Sequence, residues 1–388
     1  MQTKIDQKTG RAINRRLVLN VIRQQGGLSR TAVANQTGLS PATVGFVVSD
    51  LIEEGILKEA QPTPQKRGRK PVPVEIDRGG HLAVGFKFAT RRIDCLLTNL
   101  AMEPVDELSV ALETNAPEEF VAAAQHAVDT LMARPATAGR RIIAAGLTMP
   151  ARVDTGSGDC VNSYRFGWRN VPITRMMSDV LGLSVGIEDD TLGYGLAHQL
   201  FGLGQGISNF MALAVGEGIG CASILDGQVR RGSMGNAGKV GHTLIGDDGP
   251  LCECGRRGCL QASFSATALE TAWSAGGSAL ELTDAIRAEE PAALALVSQA
   301  GATIGEHLAT WALLLDPQVI VLGGEAAGYG AAFVAPMEEA FRKGDYRPDS
   351  ARIVVDDTRT FWAAGAAAVA VQQIFDFQSV PAAGLIEA

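Results

Sequence analysis

Residues 241–263 read GHTLIGDDGPLCECGRRGCLQAS, and this stretch holds half of the six cysteines of the chain. Cys252, Cys254 and Cys259 are close together, and His242 precedes the first of them by ten positions. Three thiolates and one imidazole fill the tetrahedral shell of a structural zinc ion, so the pattern predicts structural Zn²⁺ at these four residues. A disulfide, or three unrelated buried thiols, is the alternative interpretation.

The composition indicates a globular protein with a well-buried core. The chain has 388 residues, of which 46% are hydrophobic and 20% charged, enough for two or three domains. There is no apolar run long enough to span a bilayer, and the basic N-terminus lacks the apolar core of a signal peptide. We therefore expect a cytoplasmic protein without a membrane partner.

Charge is distributed unevenly along the chain. Residues 1–70 carry 12 lysines and arginines against 5 acids, whereas the remainder carries 22 against 37. A basic head on an acidic body suggests that only the head meets a polyanion. A solvated surface with no partner is the alternative, so the head must be judged by its pattern.

The head has the pattern of a helix-turn-helix. Its first predicted helix, residues 14–25, ends at a Gly-Gly pair, and Ser29 and Ser40 stand where N-caps of the next two helices belong. Gly38 closes the middle helix, and Pro41 takes the first position of the third. The third helix is the recognition helix of such a motif. Its predicted DNA-facing residues are Ser40, Ala42, Thr43, Gly45, Phe46 and Ser49.

These side chains are small or apolar, and they favour base reading through methyl contacts and hydroxyls. After the third helix, two apolar segments are predicted to pair as a wing, with Lys66, Arg67, Arg69 and Lys70 at its tip. A slim basic tip suits a narrow minor groove. The alternative is a proline-rich linker with solvated charges, and a linker that also touches DNA satisfies both interpretations.

From His81 onward, apolar strands alternate with alanine-rich helices, which is typical of an α/β fold with a mostly parallel sheet. Four segments of the chain resemble the ROK family (repressors, open reading frames and sugar kinases). They are the zinc segment, GEGIG at 216–220, EDD at 188–190 and DPQVIVLGG at 316–324. The resemblance implies a two-lobed body of the ribonuclease-H-like, actin-like ATPase fold, behind an N-terminal winged helix-turn-helix.

The same resemblance raises the question of phosphoryl transfer. Kinases of the family use a first hairpin resembling DxGGTK, but here Lys87 takes the place of the aspartate and Ala89 and Thr90 replace the glycines. In the second phosphate turn, Glu217 replaces a threonine and would repel ATP phosphates. We expect a body that is not an enzyme.

The resemblance also implies an effector site, formed by Asp189, Asp190, Arg165, Lys239, His242 and Gln261. Asp190 matches the family's catalytic aspartate and could contact sugar hydroxyls, or could act as an N-cap or first-turn acid. Lys239 and Gln261 replace glutamates, and Arg165 stands where kinases often have asparagine. Two new cations suit an anionic ligand group, unless Lys239 pairs with Glu217 or another acid.

The sequence therefore predicts a winged helix-turn-helix domain with linker at 1–75 and a ROK-type effector domain at 76–388, with the zinc loop at 242–259. The predicted function is a transcriptional repressor of carbohydrate genes that binds a double-stranded DNA operator and a small carbohydrate effector. It is expected to be a homodimer or a higher homo-oligomer. Two alternatives are an active sugar kinase with a DNA-binding head and a regulator controlled by a partner protein.

Overall fold

The computed structural model describes residues 7–60, 72–347, 349, 351–356, 358 and 361–375. The predicted basic tip of Lys66, Arg67, Arg69 and Lys70 lies outside these residues. Within the described part of the chain, no helix combines the length and apolarity needed to cross a bilayer.

The head consists of α1 (Gln7–Gln25), β1 (Leu28–Ser29), α2 (Arg30–Thr37), α3 (Pro41–Glu53), β2 (Leu57–Glu59) and β3 (Pro73–Ile76). Both predicted serine caps form, because Ser29 Oγ accepts a hydrogen bond from the Ala32 amide and Ser40 Oγ accepts one from Thr43. Strand β3 pairs antiparallel with β1 and with β2, which forms the predicted wing. The helix-turn-helix and its wing are thus confirmed.

The first lobe follows as β4 (His81–Ala89), β5 (Arg92–Asn99), β6 (Pro104–Ala111), α4 (Pro117–Met132), β7 (Arg141–Met149), β8 (Arg152–Asp154), β9 (Asp159–Ser163), β10 (Trp168–Val171), α5 (Ile173–Leu181), β11 (Val185–Asp189) and α6 (Asp190–Phe201). Its main sheet has the order β11-β7-β4-β5-β6, with β7 parallel to both of its neighbours. A smaller antiparallel sheet has the order β10-β9-β8.

The second lobe contains β12 (Phe210–Val215), β13 (Ile219–Leu225), β14 (Gln228–Val229), α7 (Leu260–Phe264), α8 (Ala266–Ala275), α9 (Leu282–Arg287), α10 (Pro291–Leu315), β15 (Val319–Gly323), α11 (Ala331–Gly344) and β16 (Arg352–Val355). Its sheet has the order β14-β13-β12-β15-β16, with β12, β15 and β16 parallel. Two sheets with helices against them confirm the predicted two-lobed α/β body.

Helix α12 (Phe361–Phe375) returns to the first lobe and lies directly on its main sheet. This close approach depends on glycine, since a Cβ on Gly85 would lie 2.2 Å from the Ala367 nitrogen and one on Gly146 would lie 2.2 Å from the Ala366 oxygen. Helices α6 and α12 also touch backbone to backbone, because a Cβ on Gly365 would lie 2.9 Å from the carbonyl carbon of Gly193.

The head packs against the ends of these two helices. Buried side chains of α1 share one hydrophobic cluster with α6 and α12. Arg23, in the last turn of α1, lies 5.8 Å from the Phe201 ring centre and 5.9 Å from that of Phe375. It also donates a 3.5 Å hydrogen bond to the Leu200 carbonyl. Strand β3 ends at Ile76, next to the domain boundary predicted between 75 and 76, which stays a prediction.

Candidate effector site and DNA-binding face

A cavity of about 1590 Å³ lies between the two lobes. The carboxyl ends of parallel strands from both sheets border it, which is where α/β sheets bind ligands. Five of the predicted effector residues line it, namely Asp190, Arg165, Lys239, His242 and Gln261. Asp189 lies behind them, 2% exposed. The structure brings the predicted site together, and the binding role of these residues stays a prediction.

Lys87 and Asp190 form an ion pair in the cavity wall. Lys87 Nζ lies 2.5 Å from Asp190 Oδ2, and the two side chains are only 11% and 15% exposed. Burial alone would raise the pKa of Asp190, but Lys87, Lys239 and Arg165 outweigh it and lower that pKa to about 2. Asp190 is therefore a stably ionised carboxylate already bonded to a cation of its own chain. Lys87 also lies 5.2 Å from the centre of the Trp362 ring.

The two acids that precede Asp190 are also paired with cations. Asp189 caps α6 by accepting hydrogen bonds from the Thr191 and Leu192 amides, and its other oxygen binds Lys239. Glu188 lies 2.6 Å from the guanidinium of Arg231. Lys239 thus has the acidic partner considered in the alternative interpretation, and that partner is Asp189.

Arg165 joins the two lobes at the mouth of the cavity. Its guanidinium lies 2.9 Å from Glu217 and 3.3 Å from Glu253, which belongs to the zinc segment. Thr90 donates a 3.3 Å hydrogen bond to Glu217, and Gln261 donates a 3.0 Å bond to Glu253. Glu217, the residue that replaces the family's phosphate-turn threonine, therefore links the second lobe to Arg165 and Thr90 of the first lobe.

Glu325 brings a second carboxylate to the turn at residues 216–220. A Cβ on Gly216 would lie 2.0 Å from Glu325 Oε2, so that carboxylate rests against the backbone of the turn. Sequence reasoning missed Glu325, although it directly follows the DPQVIVLGG segment that was singled out. The sequence does not show that the Glu325 side chain lies against Gly216, which is more than 100 positions earlier in the chain.

The four predicted metal ligands converge. Their donor atoms all lie within 4.8 Å of one another, with Cys254 Sγ 3.7 Å from Cys259 Sγ and Cys252 Sγ 3.6 Å from His242 Nδ1. A tetrahedral zinc site with metal–sulfur bonds of about 2.3 Å has edges of about 3.8 Å, so the separations fit Zn²⁺. None of the six described cysteines forms a disulfide. Burial lowers the pKa of His242, which favours the neutral imidazole that a metal needs.

One side of α3, the predicted recognition helix, is exposed to solvent. Ala42, Phe46 and Ser49 are exposed along one side of the helix, and 75% of the Phe46 surface is open to solvent. Ser40 and Thr43 share a 2.8 Å contact between their hydroxyls at the start of the helix. Gly45 is half-buried beside them. The side chains on this face are small or apolar, and their contact with DNA stays a prediction.

Comparison with known proteins agrees with this architecture. The ROK family model matches residues 84–372, and a model of winged helix-turn-helix DNA-binding domains matches residues 11–58. The chain is 24% identical over 352 residues to the xylose repressor of Caldicellulosiruptor bescii, covering 86% of this chain and 88% of that one.

Two solved structures show the same fold. One is a ROK family transcriptional regulator described as a homolog of the E. coli MLC protein, with TM-score 0.81, 23% identity and coverage of 94% of this chain and 96% of that chain. The other is a ROK family glucokinase from Streptomyces griseus in complex with glucose and AMPPNP, with TM-score 0.66, 26% identity and coverage of 75% and 99%. This chain therefore belongs to the ROK family and carries an N-terminal winged helix-turn-helix.

Proposed function

We propose that this protein is a DNA-binding transcriptional repressor whose ROK body binds a carbohydrate effector and does not transfer phosphate. The observation that carries the proposal is the Lys87–Asp190 ion pair, at 2.5 Å in the cavity wall. A sugar kinase needs a carboxylate there that accepts a proton from the sugar hydroxyl. A carboxylate with a pKa of about 2 that already binds an ammonium is a poor base for that task.

The phosphate-binding side of the cavity supports the same conclusion. Glu217 and Glu325 bring two carboxylates to the turn where a kinase offers backbone amides to ATP. Like charges at a few ångströms repel by about 1–4 kcal/mol, depending on solvent access, and the pairing of Glu217 with Arg165 reduces its share of this repulsion. In the first hairpin, Ala89 and Thr90 also carry side chains where kinases of the family have glycines. We expect nucleotide affinity to be lost at this side of the cavity.

Helices α6 and α12 offer a physical connection between the cavity and the head. At the cavity end, Lys87 contacts Asp190 at the start of α6 and Trp362 near the start of α12. At the other end, Arg23 of the head contacts Phe201 and Phe375, the last residues of the same two helices. A ligand that rearranges the Lys87 contacts would shift two packed helices that end under the head.

The names of the similar proteins agree with a regulator that senses sugars. The C. bescii relative is named a xylose repressor, and the S. griseus glucokinase was solved with glucose. By analogy, we expect the effector to occupy the cavity beside Asp190 and His242, with Zn²⁺ as a structural ion that holds the loop in place. A protein of this kind acts on chromosomal DNA, so we keep the expected cytoplasmic location and the homodimer as parts of the proposal.

Two assays on the purified full-length protein test the proposal. DNA fragments are first selected from a genomic library, and binding of the best fragment is measured by fluorescence anisotropy with and without a panel of sugars. The same panel is tested with ATP in a coupled kinase assay. We expect a specific fragment, at least one sugar that changes its Kd about tenfold, and no sugar-dependent ATP turnover. Turnover with any sugar, or the absence of a selected fragment, would refute the proposal.

The connection through α1 is tested by Arg23→Ala. We expect the variant to bind the selected fragment but to lose most of its response to the sugar, because the contact with Phe201 and Phe375 is removed. Arg11→Ala, an exposed substitution on the same helix, is the matched control and should keep the ratio of Kd values with and without sugar. A full response in Arg23→Ala would show that the signal takes another route.

A further inference from the structure

A row of three polar side chains crosses the small sheet of the first lobe. In the register of this antiparallel sheet, Arg152 of β8 lies opposite Asn162 of β9, and Asn162 lies opposite Arg169 of β10. Side chains opposite each other in an antiparallel pair point to the same face, with Cβ atoms about 4.5–5.5 Å apart. The Cβ atoms of the two arginines therefore lie on either side of Asn162, about 10 Å apart.

This row faces the cavity. All three residues line it, with Arg152 and Asn162 half-buried and Arg169 exposed. The neighbouring side chains Val153 and Trp168 are buried in the hydrophobic core instead. A bulge between Arg152 and Val153 sets this register, because it brings Arg152 opposite Asn162 while Val153 lies opposite Cys160.

The two arginines differ from the other cations of the cavity. Lys87, Lys239 and Arg165 each have a carboxylate partner. Among the described residues, by contrast, neither the Arg152 nor the Arg169 side chain forms an ion pair or hydrogen bond. Two such guanidinium groups on one sheet face repel each other, and an anion between them relieves that repulsion.

We infer that Arg152, Asn162 and Arg169 form a subsite for the anionic substituent of a carbohydrate effector, a carboxylate or a phosphate. Guanidinium groups bind both anions through paired N–H donors, and the Asn162 amide adds a further donor between them. The inference rests on the proposed function, since the uncharged part of the sugar would lie beside Asp190 and His242 in the same cavity. The effector class is then an acidic sugar, such as a uronic acid or a sugar phosphate.

The test compares matched ligands by isothermal titration calorimetry on the full-length protein. The probes are D-glucose, D-glucuronate and D-glucose 6-phosphate, the corresponding galactose series, and inorganic phosphate alone. We expect at least one acidic sugar to bind about tenfold or more tightly than its neutral counterpart and than inorganic phosphate, and to weaken as salt is raised. Whichever binds more tightly, the sugar carboxylate or the sugar phosphate, identifies the anionic substituent of the effector.

Variants then assign the effect to the row. Arg152→Met and Arg169→Met keep the length of the side chain but remove its charge, and each should bring the acidic sugar to within about threefold of the neutral one. Arg175→Met, at an exposed arginine of α5 that does not line the cavity, should retain the preference. Asn162→Ala should lower affinity for the acid and leave that for the neutral sugar unchanged.

Several outcomes would overturn the subsite. These are neutral sugars that bind as tightly as the acids, inorganic phosphate that binds as tightly as the sugar acids, or a preference that survives in both arginine variants. A panel without binding by any acid overturns it as well. Anisotropy with the selected DNA fragment separates this failure from failure of the proposed function, because a neutral sugar that releases or recruits the head leaves the repressor proposal standing.

Discussion

Replacing Lys87 by methionine removes the cation from the ion pair in the cavity wall while keeping most of the volume of the side chain. Lys87 and Asp190 are 11% and 15% exposed, so the loss leaves a largely buried carboxylate without its nearest partner. Breaking a fully buried pair costs about 3–5 kcal/mol. Here Lys239 and Arg165 also act on Asp190 and reduce the cost.

The pKa of Asp190 gives a second way to work out how much the ion pair stabilises the folded protein. Burial would raise that pKa, but Lys87 and the other cations bring it from the usual 3.8 to about 2. At roughly 1.4 kcal/mol per pH unit, this lowered pKa means that the folded protein gains about 2.5 kcal/mol from the ionised carboxylate, of which Lys87 supplies the largest share. We expect Lys87→Met to lower the free energy of unfolding at pH 7 by about 2 kcal/mol.

Equilibrium urea unfolding followed by tryptophan fluorescence measures this change, and a double mutant isolates the pair. Lys87→Met combined with Asp190→Asn should recover at least half of the loss, since no charge is then left buried. Lys58→Met is the control, because Lys58 is 44% exposed and lies 3.4 Å from Asp77, and it should change stability by less than about 0.5 kcal/mol. A Lys87→Met protein as stable as the wild type, or a double mutant no more stable than Lys87→Met, would refute the reasoning.

Further predictions concern the same framework. Gly85→Ala should cost about 1–3 kcal/mol or more in urea unfolding, because the added methyl meets the α12 backbone at 2.2 Å, and an unchanged midpoint would contradict this packing. Cys254→Ser should lose bound zinc in native mass spectrometry and lower the thermal midpoint, whereas Cys95→Ser, away from the cluster, should retain the metal. Ser40→Ala should destabilise the head by about 0.5–2 kcal/mol through its lost helix cap, seen as faster amide hydrogen exchange in α3. Because the pKa of Asp190 is depressed, its contribution is present above about pH 4 and is lost as the pH falls toward 2, so the stability difference between wild type and Asp190→Asn should shrink over that interval.

The head was predictable because its signals are local. Ser29, Gly38, Ser40 and Pro41 act on helices within a few residues of themselves, and each occupies the cap or first-turn position that the pattern indicates. The zinc cluster was predictable for a related reason, since its three cysteines lie within eight positions and the histidine is ten residues upstream. The wing strands were also predicted, although the basic tip between them lies outside the described residues.

The cavity was predictable as a set of residues but not as a pattern of contacts. The partner of Lys87 is 103 positions away, and that of Lys239 is 50 positions away. The sequence indicated that Lys239 and Arg165 add positive charge, but only packing shows that Asp189, Glu217 and Glu253 already neutralise it. An ion pair forms between residues that are close in space, and the number of positions between two residues in the sequence does not give that distance.

By itself, the sequence determined that this protein has a winged head, an α/β body and a cysteine–histidine cluster, because caps, hydrophobic periodicity and ligand spacing act over short stretches of chain. The assignment of the body to the ROK family came instead from the resemblance of four segments to that family. Only the tertiary structure decided which cations are paired and which face the cavity without a partner. The row of Arg152, Asn162 and Arg169 exists because of strand register and a single bulge, and a shift of one residue would turn a side chain to the other face. That register is set by the packing of the whole lobe, which no local pattern in the sequence contains.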